Sequence, residues 1–278
     1  PDLNGNIWSK PGEIPGNGQD DDGNGFVDDT MGWDFDGNDN DPNGVFFHGT
    51  AVASVIGAVG GNGTNIVGLA GGAVDGEGVS VMPCNVGGFG PNGAVLDDAI
   101  LYAADNGARV ITMSLTVGSS QAIIDACDYA WNVKGVFVDN AAGNSFGGSV
   151  GFPGTVSTVV AVASTDHNDN RSSFGSIGPE VEVSAPGTAI LMLNLGGGTT
   201  VSDGTSFASP HVAALVGLMF SAAPDLTNDE ALQVLRDTAD DVSTPGYDTG
   251  TGFGRINAAD ALAAVAEGVV QGVAVTYG

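Results

Sequence analysis

The residues most able to do covalent chemistry lie in one block, Asp203 to Ala213, which reads Asp-Gly-Thr-Ser-Phe-Ala-Ser-Pro-His-Val-Ala. An apolar run with helical character, residues 213–223, follows this block. Ser206 therefore lies at the start of a predicted helix, where the positive end of the helix dipole favours an oxygen that gains negative charge. Pro210 fits the first turn, because the N–H that proline lacks has no partner there. The block predicts a serine nucleophile, although Gly-Thr-Ser alone would serve equally well as a helix N-cap.

A serine hydroxyl becomes an effective nucleophile only when a base removes its proton, so a catalytic serine needs a partner. The chain has three histidines. His48 opens a run of small and apolar residues, 48–60, which predicts a second buried helix. A single histidine at a helix start is more often structural than catalytic. Its position directly before Gly49-Thr50 nevertheless makes His48 our candidate for the base.

The first 47 residues are rich in Gly, Asn and Asp and contain an acidic loop, residues 20–29. Oxygen ligands at alternate residues can surround one Ca²⁺, with a glycine at the sharp turn and a backbone carbonyl among the ligands. The position that closes an EF-hand loop would be Met31 and not Glu, so a further ligand must come from elsewhere. A solvated acidic turn is the alternative, and a second acidic patch at residues 34–41 indicates a metal more weakly. The predicted calcium ligands are Asp20, Asp22, Asn24, the Phe26 carbonyl and Asp28.

Strand and helix patterns alternate along the rest of the chain. This alternation predicts an α/β fold with a doubly wound parallel sheet and helices on both faces. Strands are expected at residues 79–86, 108–115, 135–139, 156–163 and 181–184, and helices at residues 94–106, 121–133 and 259–267. Functional sites in such sheets lie beyond the carboxyl ends of the strands. Two loops that leave those ends, residues 114–118 and 141–145, are therefore candidates to border the site.

The serine block, the histidine segment and the Ala-Gly-Asn loop at residues 142–144 together resemble those of the subtilisin-like serine proteases, the subtilases. The resemblance runs from residue 1 to about residue 265. It implies a three-layer α/β/α catalytic domain over residues 1–267, with residues 268–278 as a tail or edge strand. It also implies that Asn144 stabilises an oxyanion beside the catalytic His48 and Ser206. By the same resemblance, extended substrate pairs with Ser114, Leu115, Thr116, Ala142 and Gly143.

The resemblance leaves one member of the catalytic triad unassigned. In subtilases the catalytic Asp lies on an interior strand just before a segment like Pro1-Asp2-Leu3, so that strand would precede residue 1. Phe47 and Thr116 add bulk near the expected cleft. Two hypotheses follow: a secreted, calcium-stabilised serine endopeptidase, or a subtilase-fold binding or structural module that no longer cleaves. A lipase is disfavoured, because Ser206 lacks the Gly-x-Ser-x-Gly pattern.

Composition limits the partners of this chain. The 278 residues include 33 acidic and 6 basic side chains, which give a formal net charge of −27. Such a surface repels nucleic acid and anionic membranes, and we expect neither as a partner. No apolar run is expected to span a membrane. Polypeptide substrates and the chain's own propeptide are the partners that the resemblance implies. Cys84 and Cys127 permit one disulfide, but small buried core residues are the favoured interpretation.

Overall fold

A computed structural model describes residues 2–64, 66–74, 76–88 and 90–266 of the chain. Its central sheet contains four parallel strands in the order β3-β4-β5-β6. These strands are β3 (Val110–Met113), β4 (Phe137–Ala141), β5 (Val160–Thr165) and β6 (Val181–Pro186). Two short parallel strands, β1 (Trp33–Asp34) and β2 (Cys84–Asn85), form a separate pair, and β7 (Ile190–Leu193) and β8 (Thr199–Ser202) form an antiparallel hairpin.

Six α-helices complete the described fold. They are α1 (Phe47–Gly57), α2 (Leu96–Asp105), α3 (Gln121–Asn132), α4 (Thr205–Ala222), α5 (Asn228–Thr238) and α6 (Ala258–Ala266). Helix α4 packs across all four strands of the central sheet, while α2 contacts β3 and α3 contacts β4. All five residues of β4 are buried, as expected for a strand covered on both faces. The predicted three-layer α/β/α fold is confirmed. The tail predicted at residues 268–278 lies outside the described residues.

Helix α4 is the core helix of the domain. Its residues Val212, Leu215, Val216 and Met219 are fully buried against the sheet. The helix is long and apolar enough to cross a membrane by length and composition alone, contrary to our expectation that no run would be. However, 67% of that apolar window is buried inside the protein, which is typical of the core helix of a folded domain.

The N-terminal part of the chain is mostly loop, as predicted, and side chains fix it to the domain. The Asn6 amide donates to the carbonyl oxygens of Gly57 (2.9 Å) and Gly71 (2.7 Å). The Phe26 ring lies 5.0 Å from the Trp33 ring and 4.9 Å from the Tyr102 ring of α2, centroid to centroid. These edge-to-face contacts hold the acidic loop on the domain.

The strand predicted at residues 79–86 is much shorter than expected. Only Val81, in a bridge to Ile7, and Cys84–Asn85, paired with Trp33–Asp34, make strand pairings. The physical reason is that this segment has pairing partners on one side only among the described residues. Cys84 and Cys127 are both free thiols, so they form no disulfide. Cys127 is buried in the main core, as we favoured.

Candidate active site

Ser206 is the second residue of α4 and is half-buried at the N-terminal end of that helix. The helix begins earlier than the block suggests, so Pro210 is inside it and not in its first turn. Proline cannot donate the hydrogen bond that the carbonyl four residues before it would accept. That carbonyl belongs to Ser206, and the hydroxyl of Ser114 donates to it instead at 2.8 Å. The proline therefore leaves the Ser206 carbonyl to be held by the side chain of Ser114, just beyond the end of β3.

Ser114 directly follows β3, at the carboxyl end of the strand where we expected the site. The Ser206 hydroxyl donates a hydrogen bond of 3.3 Å to the Ser114 carbonyl oxygen. Two reciprocal contacts thus join Ser114 and Ser206. They place the first turn of α4 against the first of the two loops predicted to bind substrate.

The side chain of Asn144 has a fixed orientation. Its Oδ1 accepts hydrogen bonds from the backbone N–H of Thr205 (3.0 Å) and from the Thr205 hydroxyl (3.0 Å). The Thr205 hydroxyl oxygen in turn accepts from the backbone N–H of Gly143 at 3.1 Å. Because the amide oxygen is occupied in this way, the Asn144 NH₂ group is available to donate to another acceptor. Among the described residues it has no hydrogen-bond partner.

His48 is the second residue of α1. Its ring lies between Phe46, in a stacked arrangement at 6.2 Å, and Phe207 of α4 at 5.7 Å, centroid to centroid. Burial lowers the pKa of His48 below the ordinary value for histidine, which favours the neutral imidazole that a base requires. The hydrogen bond expected between His48 and Ser206 is not formed in this arrangement. The Ser206 hydroxyl is directed to Ser114 instead.

Most of the predicted catalytic and substrate-binding residues line one groove of about 2010 Å³. His48, Asn144 and Ser206 line it, as do Ser114, Leu115, Thr116 and Gly143 from the predicted substrate-binding loops. Ala142 is different. Its side chain is fully buried, and its backbone pairs with Val162 and Gly151 (both 2.9 Å), because the chain is still in sheet-like pairing at this residue. The prediction that Ala142 contacts substrate is therefore not supported by its position.

The two bulky residues near the cleft are accommodated differently. Phe47 packs into an apolar cluster with Ala51, Val55, Met192 and Phe207 and does not line the groove. Phe47 is half-buried against this cluster, so its position does not support the expectation that it narrows the cleft. Thr116 lines the groove and lies directly over the backbone of Gly151, where an added Cβ would be only 2.7 Å from the Thr116 hydroxyl oxygen.

The same groove continues past the site along β3. Residues 108–113 line one wall, and residues 79–85 line another. Strand β3 is the outer strand of its sheet and pairs only with β4 among the described residues. The groove therefore runs beside backbone N–H and C=O groups that could pair with one more strand.

The acidic loop packs around Glu13, which was not among the predicted calcium ligands. Single carboxylate oxygens of Glu13, Asp20 and Asp22 lie within 4.8 Å of one another. Glu13 is 9% exposed, and its Oε2 is buried without a partner. Three hard oxygen donors with an unpartnered carboxylate oxygen fit Ca²⁺. Glu13 precedes the loop by seven residues, and no loop spacing pointed to it.

Asp28 does not join this cluster. Its carboxylate accepts from the backbone N–H groups of Asn17 (3.0 Å) and Gly18 (2.9 Å), so it closes the loop internally. Its backbone is also in the left-handed region, with φ of 56°. The Asn24 amide oxygen accepts from the backbone N–H of Phe26 at 2.8 Å. Ligation by Asn24 and by the Phe26 carbonyl stays a prediction, whereas Asp28 is directed elsewhere.

A buried lysine lies beside the cluster. The Lys10 ammonium is 2.9 Å from Asp22 and 2.9 Å from Asp29, and the Lys10 and Asp29 side chains are 3% and 0% exposed. Asp29 also accepts from the Tyr102 hydroxyl (2.7 Å) and the Asn24 amide (3.0 Å). Lys10 therefore supplies positive charge to an acidic region, and Asp29 connects that region to Tyr102 of α2.

Comparison with known proteins gives a consistent result. A family model described as the subtilase family matches residues 1–254. Thermitase from Thermoactinomyces vulgaris is 41% identical over 83% of this chain and 80% of its own length. The halolysin-like extracellular serine protease Nep from Natrialba magadii is 38% identical over 82% of this chain, which spans only 41% of Nep. A solved protease structure from Pseudoalteromonas arctica has a TM-score of 0.70 and 32% identity, with 80% of this chain and 73% of that one covered.

Proposed function

Because this chain belongs to the subtilase family, a family of serine proteases, we propose that it is a serine endopeptidase that acts through an acyl-enzyme on Ser206. The observation that carries the proposal is the fixed Asn144 amide beside the N-terminal end of α4. It leaves a donor group free at the groove that Ser206 also lines. When Ser206 attacks a substrate carbonyl, this amide and the helix dipole would both stabilise the negative charge on the carbonyl oxygen.

In the proposed reaction His48 is the general base. As the Ser206 oxygen forms its bond to the substrate carbonyl carbon, the hydroxyl proton passes to the neutral imidazole. To reach His48, the hydroxyl rotates away from its 3.3 Å contact with Ser114. The imidazolium then gives the proton to the leaving amine as the C–N bond breaks. Water releases the acyl group by the same steps in reverse order.

The tetrahedral intermediate carries its negative charge on the former carbonyl oxygen. We assign its stabilisation to the Asn144 NH₂ group and the backbone N–H of Ser206. The N–H groups of a helix's first turn have no intrahelical acceptor, so the Ser206 N–H is free for this role. Thr205 holds the Asn144 amide in a fixed orientation without substrate, which supports its proposed role as a preorganised donor.

The groove favours an extended polypeptide as substrate. Ser114 to Thr116 and Gly143 border it, and their backbone groups can pair with a substrate main chain as a strand would. Thr116 also lines the groove, so its side chain is placed to contact the substrate.

The third member of the triad is a carboxylate that hydrogen-bonds His48. None of the described residues makes such a bond. We propose that this carboxylate enters on a strand that fills the groove beside β3. The free edge of β3 and the facing segment, residues 79–85, offer backbone pairing on both sides of such a strand. An Asp at the carboxyl end of a parallel strand would lie at the same sheet edge as Ser114.

Calcium is the cofactor that we propose for the acidic loop. Glu13, Asp20 and Asp22 would hold it, with the Phe26 carbonyl and Asn24 as further candidates. The backbone N–H of Gly25, and those of Gly23 and Asn24, hydrogen-bond Asp20 and lower the pKa of its carboxyl, so that Asp20 is ionised. Bound calcium would screen the repulsion among these carboxylates and stabilise the loop.

We also propose secretion, with polypeptide substrates and the chain's own propeptide as partners. The relative Nep is named as an extracellular protease. The net charge of −27 disfavours nucleic acid and anionic membranes as partners.

A binding module without peptidase activity is the second candidate. The specific observation in its favour is the Ser206 hydroxyl bonded to Ser114, together with a His48 ring that makes no hydrogen bond within the described residues. The test is covalent labelling of Ser206 by a fluorophosphonate, with Ser206→Ala as the control. The protein is assayed alone and with a short apolar peptide that ends in Asp-Thr-Gly. A second peptide with Asn in place of Asp is the matched control.

We expect the Asp peptide to accelerate labelling more than the Asn peptide does. The binding module is favoured if Ser206 is not labelled with either peptide and is also not labelled in protein produced with any natural flanking sequence.

A further inference from the structure

Asp139 is a fully buried carboxyl in the middle of β4, outside the residues that the proposed reaction uses. Its strand neighbours are Thr112 in β3 and Val160 in β5. An ionisable group in a strand covered on both faces is costly to bury, so its hydrogen bonds indicate its role.

Both hydrogen bonds to Asp139 end on one oxygen. The Thr112 hydroxyl donates to Oδ1 at 2.8 Å, and the Ser209 hydroxyl of α4 donates to the same atom. The two hydroxyl oxygens are 3.2 Å apart. The second carboxyl oxygen, Oδ2, is buried and has no partner among the described residues. The three side chains thus form a closed triangle between β3, β4 and α4.

This triangle lies next to the nucleophile along both elements that carry it. Ser209 is three residues after Ser206, so the two lie on neighbouring turns of the same helix face. Thr112 is two residues before Ser114, which directly follows β3, and the hydroxyls of both residues contact α4. The Ser114–Ser206 contacts and the Asp139 triangle therefore fasten α4 to β3 at two successive levels. Pro210, which follows Ser209, removes one backbone hydrogen bond from this part of the helix.

We propose that Asp139 is a positioning residue, which acts through Ser209 and Thr112 to hold the first turn of α4, and with it Ser206, against β3. This inference rests on the proposed function, because it concerns the placement of the proposed nucleophile.

The protonation state of Asp139 changes within the neutral range. Burial raises the pKa of its carboxyl to about 7, while the hydrogen bonds from Ser209 and Thr112 partly oppose the shift. These hydroxyls, from α4 and β3, are the polar groups that face it. No charged side chain of the described residues contributes to this pKa. Below pH 7 the triangle holds a neutral acid. Above pH 7 the triangle holds a buried anion that only the two hydroxyls stabilise. The contact that holds α4 against β3 through Asp139 is therefore pH-dependent.

Three variants test the proposal. Asp139→Asn keeps an acceptor oxygen for both hydroxyls but cannot ionise. Ser209→Ala removes the contact to α4. Asp128→Asn is the matched control, because Asp128 on α3 also accepts a hydrogen bond from a threonine hydroxyl, that of Thr158, at 2.7 Å.

The first measurement is the rate of fluorophosphonate labelling of Ser206 from pH 5 to pH 10, with the saturating rate constant and the inhibitor affinity determined separately. We expect Ser209→Ala to lower the saturating rate constant roughly tenfold with little change in affinity, since displaced reacting groups lose rate and not binding. Asp139→Asn should label like the unmodified chain below pH 6 and diverge from it above pH 8. Because His48 titrates in all variants, it cancels from this comparison. Effects confined to affinity, or equal to those of Asp128→Asn, would overturn the proposal.

The second measurement does not depend on catalysis, so it separates failure of this inference from failure of the proposed function. Hydrogen exchange at residues 205–212 is followed by mass spectrometry at the same pH values. Ser209→Ala should speed exchange there at every pH, and Asp139→Asn should differ from the unmodified chain only above pH 8. The labelling is run with the Asp-Thr-Gly peptide present. If no variant labels under that condition but exchange follows this pattern, the proposed chemistry is wrong and the positioning role stands. Exchange that matches the Asp128→Asn control in both variants would refute the role itself.

Discussion

Replacement of Lys10 by Met tests whether the acidic loop depends on a buried cation. The Lys10 side chain is 3% exposed, and its ammonium is 2.9 Å from each of two carboxylates, one of them on the fully buried Asp29. Met keeps the length and apolar stem of lysine but removes the charge. The variant therefore leaves Asp29 as a buried charge without its cation.

The size of the effect follows from burial. Removal of one partner of a buried ion pair typically costs about 3–5 kcal/mol, because the remaining charge is uncompensated. Asp29 retains donors from Tyr102 and Asn24, so we expect the lower end of this range, about 3 kcal/mol. That loss is a more than hundredfold change in the unfolding equilibrium. Lys134→Met is the matched control, since the Lys134–Asp105 pair at 2.7 Å is exposed on both sides and its loss should have little effect.

The assay is urea unfolding at pH 7, first in chelator and then in calcium. All variants are made in a Ser206→Ala background to prevent self-cleavage. Calcium should then recover part of the Lys10→Met loss, because an ion at Glu13, Asp20 and Asp22 restores positive charge beside Asp22. The reasoning fails if Lys10→Met destabilises the protein no more than Lys134→Met does. It also fails if the two variants respond equally to calcium.

Three further predictions concern the site, the metal and pH. Asn144→Ala should lower turnover with little change in KM, since removal of the equivalent donor in subtilisin lowers turnover about 10²–10³-fold. Steady-state kinetics on a peptide substrate measure this, and an unchanged turnover would show that the assignment is wrong. Chelation should lower the melting temperature of the unmodified chain and have a smaller effect on Glu13→Gln, whereas an equal effect on both would exclude Glu13 as a ligand. The Asp139 carboxyl has a folded pKa of about 7 against an ordinary 3.8, so its stabilising contribution is present below pH 3.8 and is lost as the pH rises through 7. Asp139→Asn should therefore gain stability relative to the unmodified chain by roughly 4 kcal/mol at most between pH 4 and pH 8, and parallel unfolding curves across that range would contradict the shift.

Much of the fold could be predicted from local pattern. The helices predicted at residues 94–106, 121–133 and 259–267 lie within two residues of α2, α3 and α6. The alternation of strand and helix was sufficient to predict the parallel sheet, because right-twisted strands joined by helices pack in few ways. The segment at residues 79–86 is the exception. Its β-prone residues extend as a strand only where a partner is present, and one side of it faces the groove.

The candidate site divides in the same way. Ser206 and His48 could be proposed from the residue types of their blocks, and Asn144 from the resemblance of its Ala-Gly-Asn loop to that of the subtilases. Ala142 and Phe47 could not be placed, since burial depends on what the rest of the chain packs against them. The position of Pro210 was also misjudged, because the exact start of a helix depends on the caps and contacts that hold its first turn.

Local pattern was enough to identify a serine block, a histidine at a helix start, an acidic loop and an α/β alternation. Which groups meet across the chain depends on how these elements pack together. This packing brought Glu13 to Asp20 and Asp22, turned Asp28 away, and set Asp139 against Ser209, which is 70 residues distant. The reason is physical: hydrogen bonds, charge pairing and burial act through space over a few ångströms, and residue spacing predicts them only within a single helix, strand or turn.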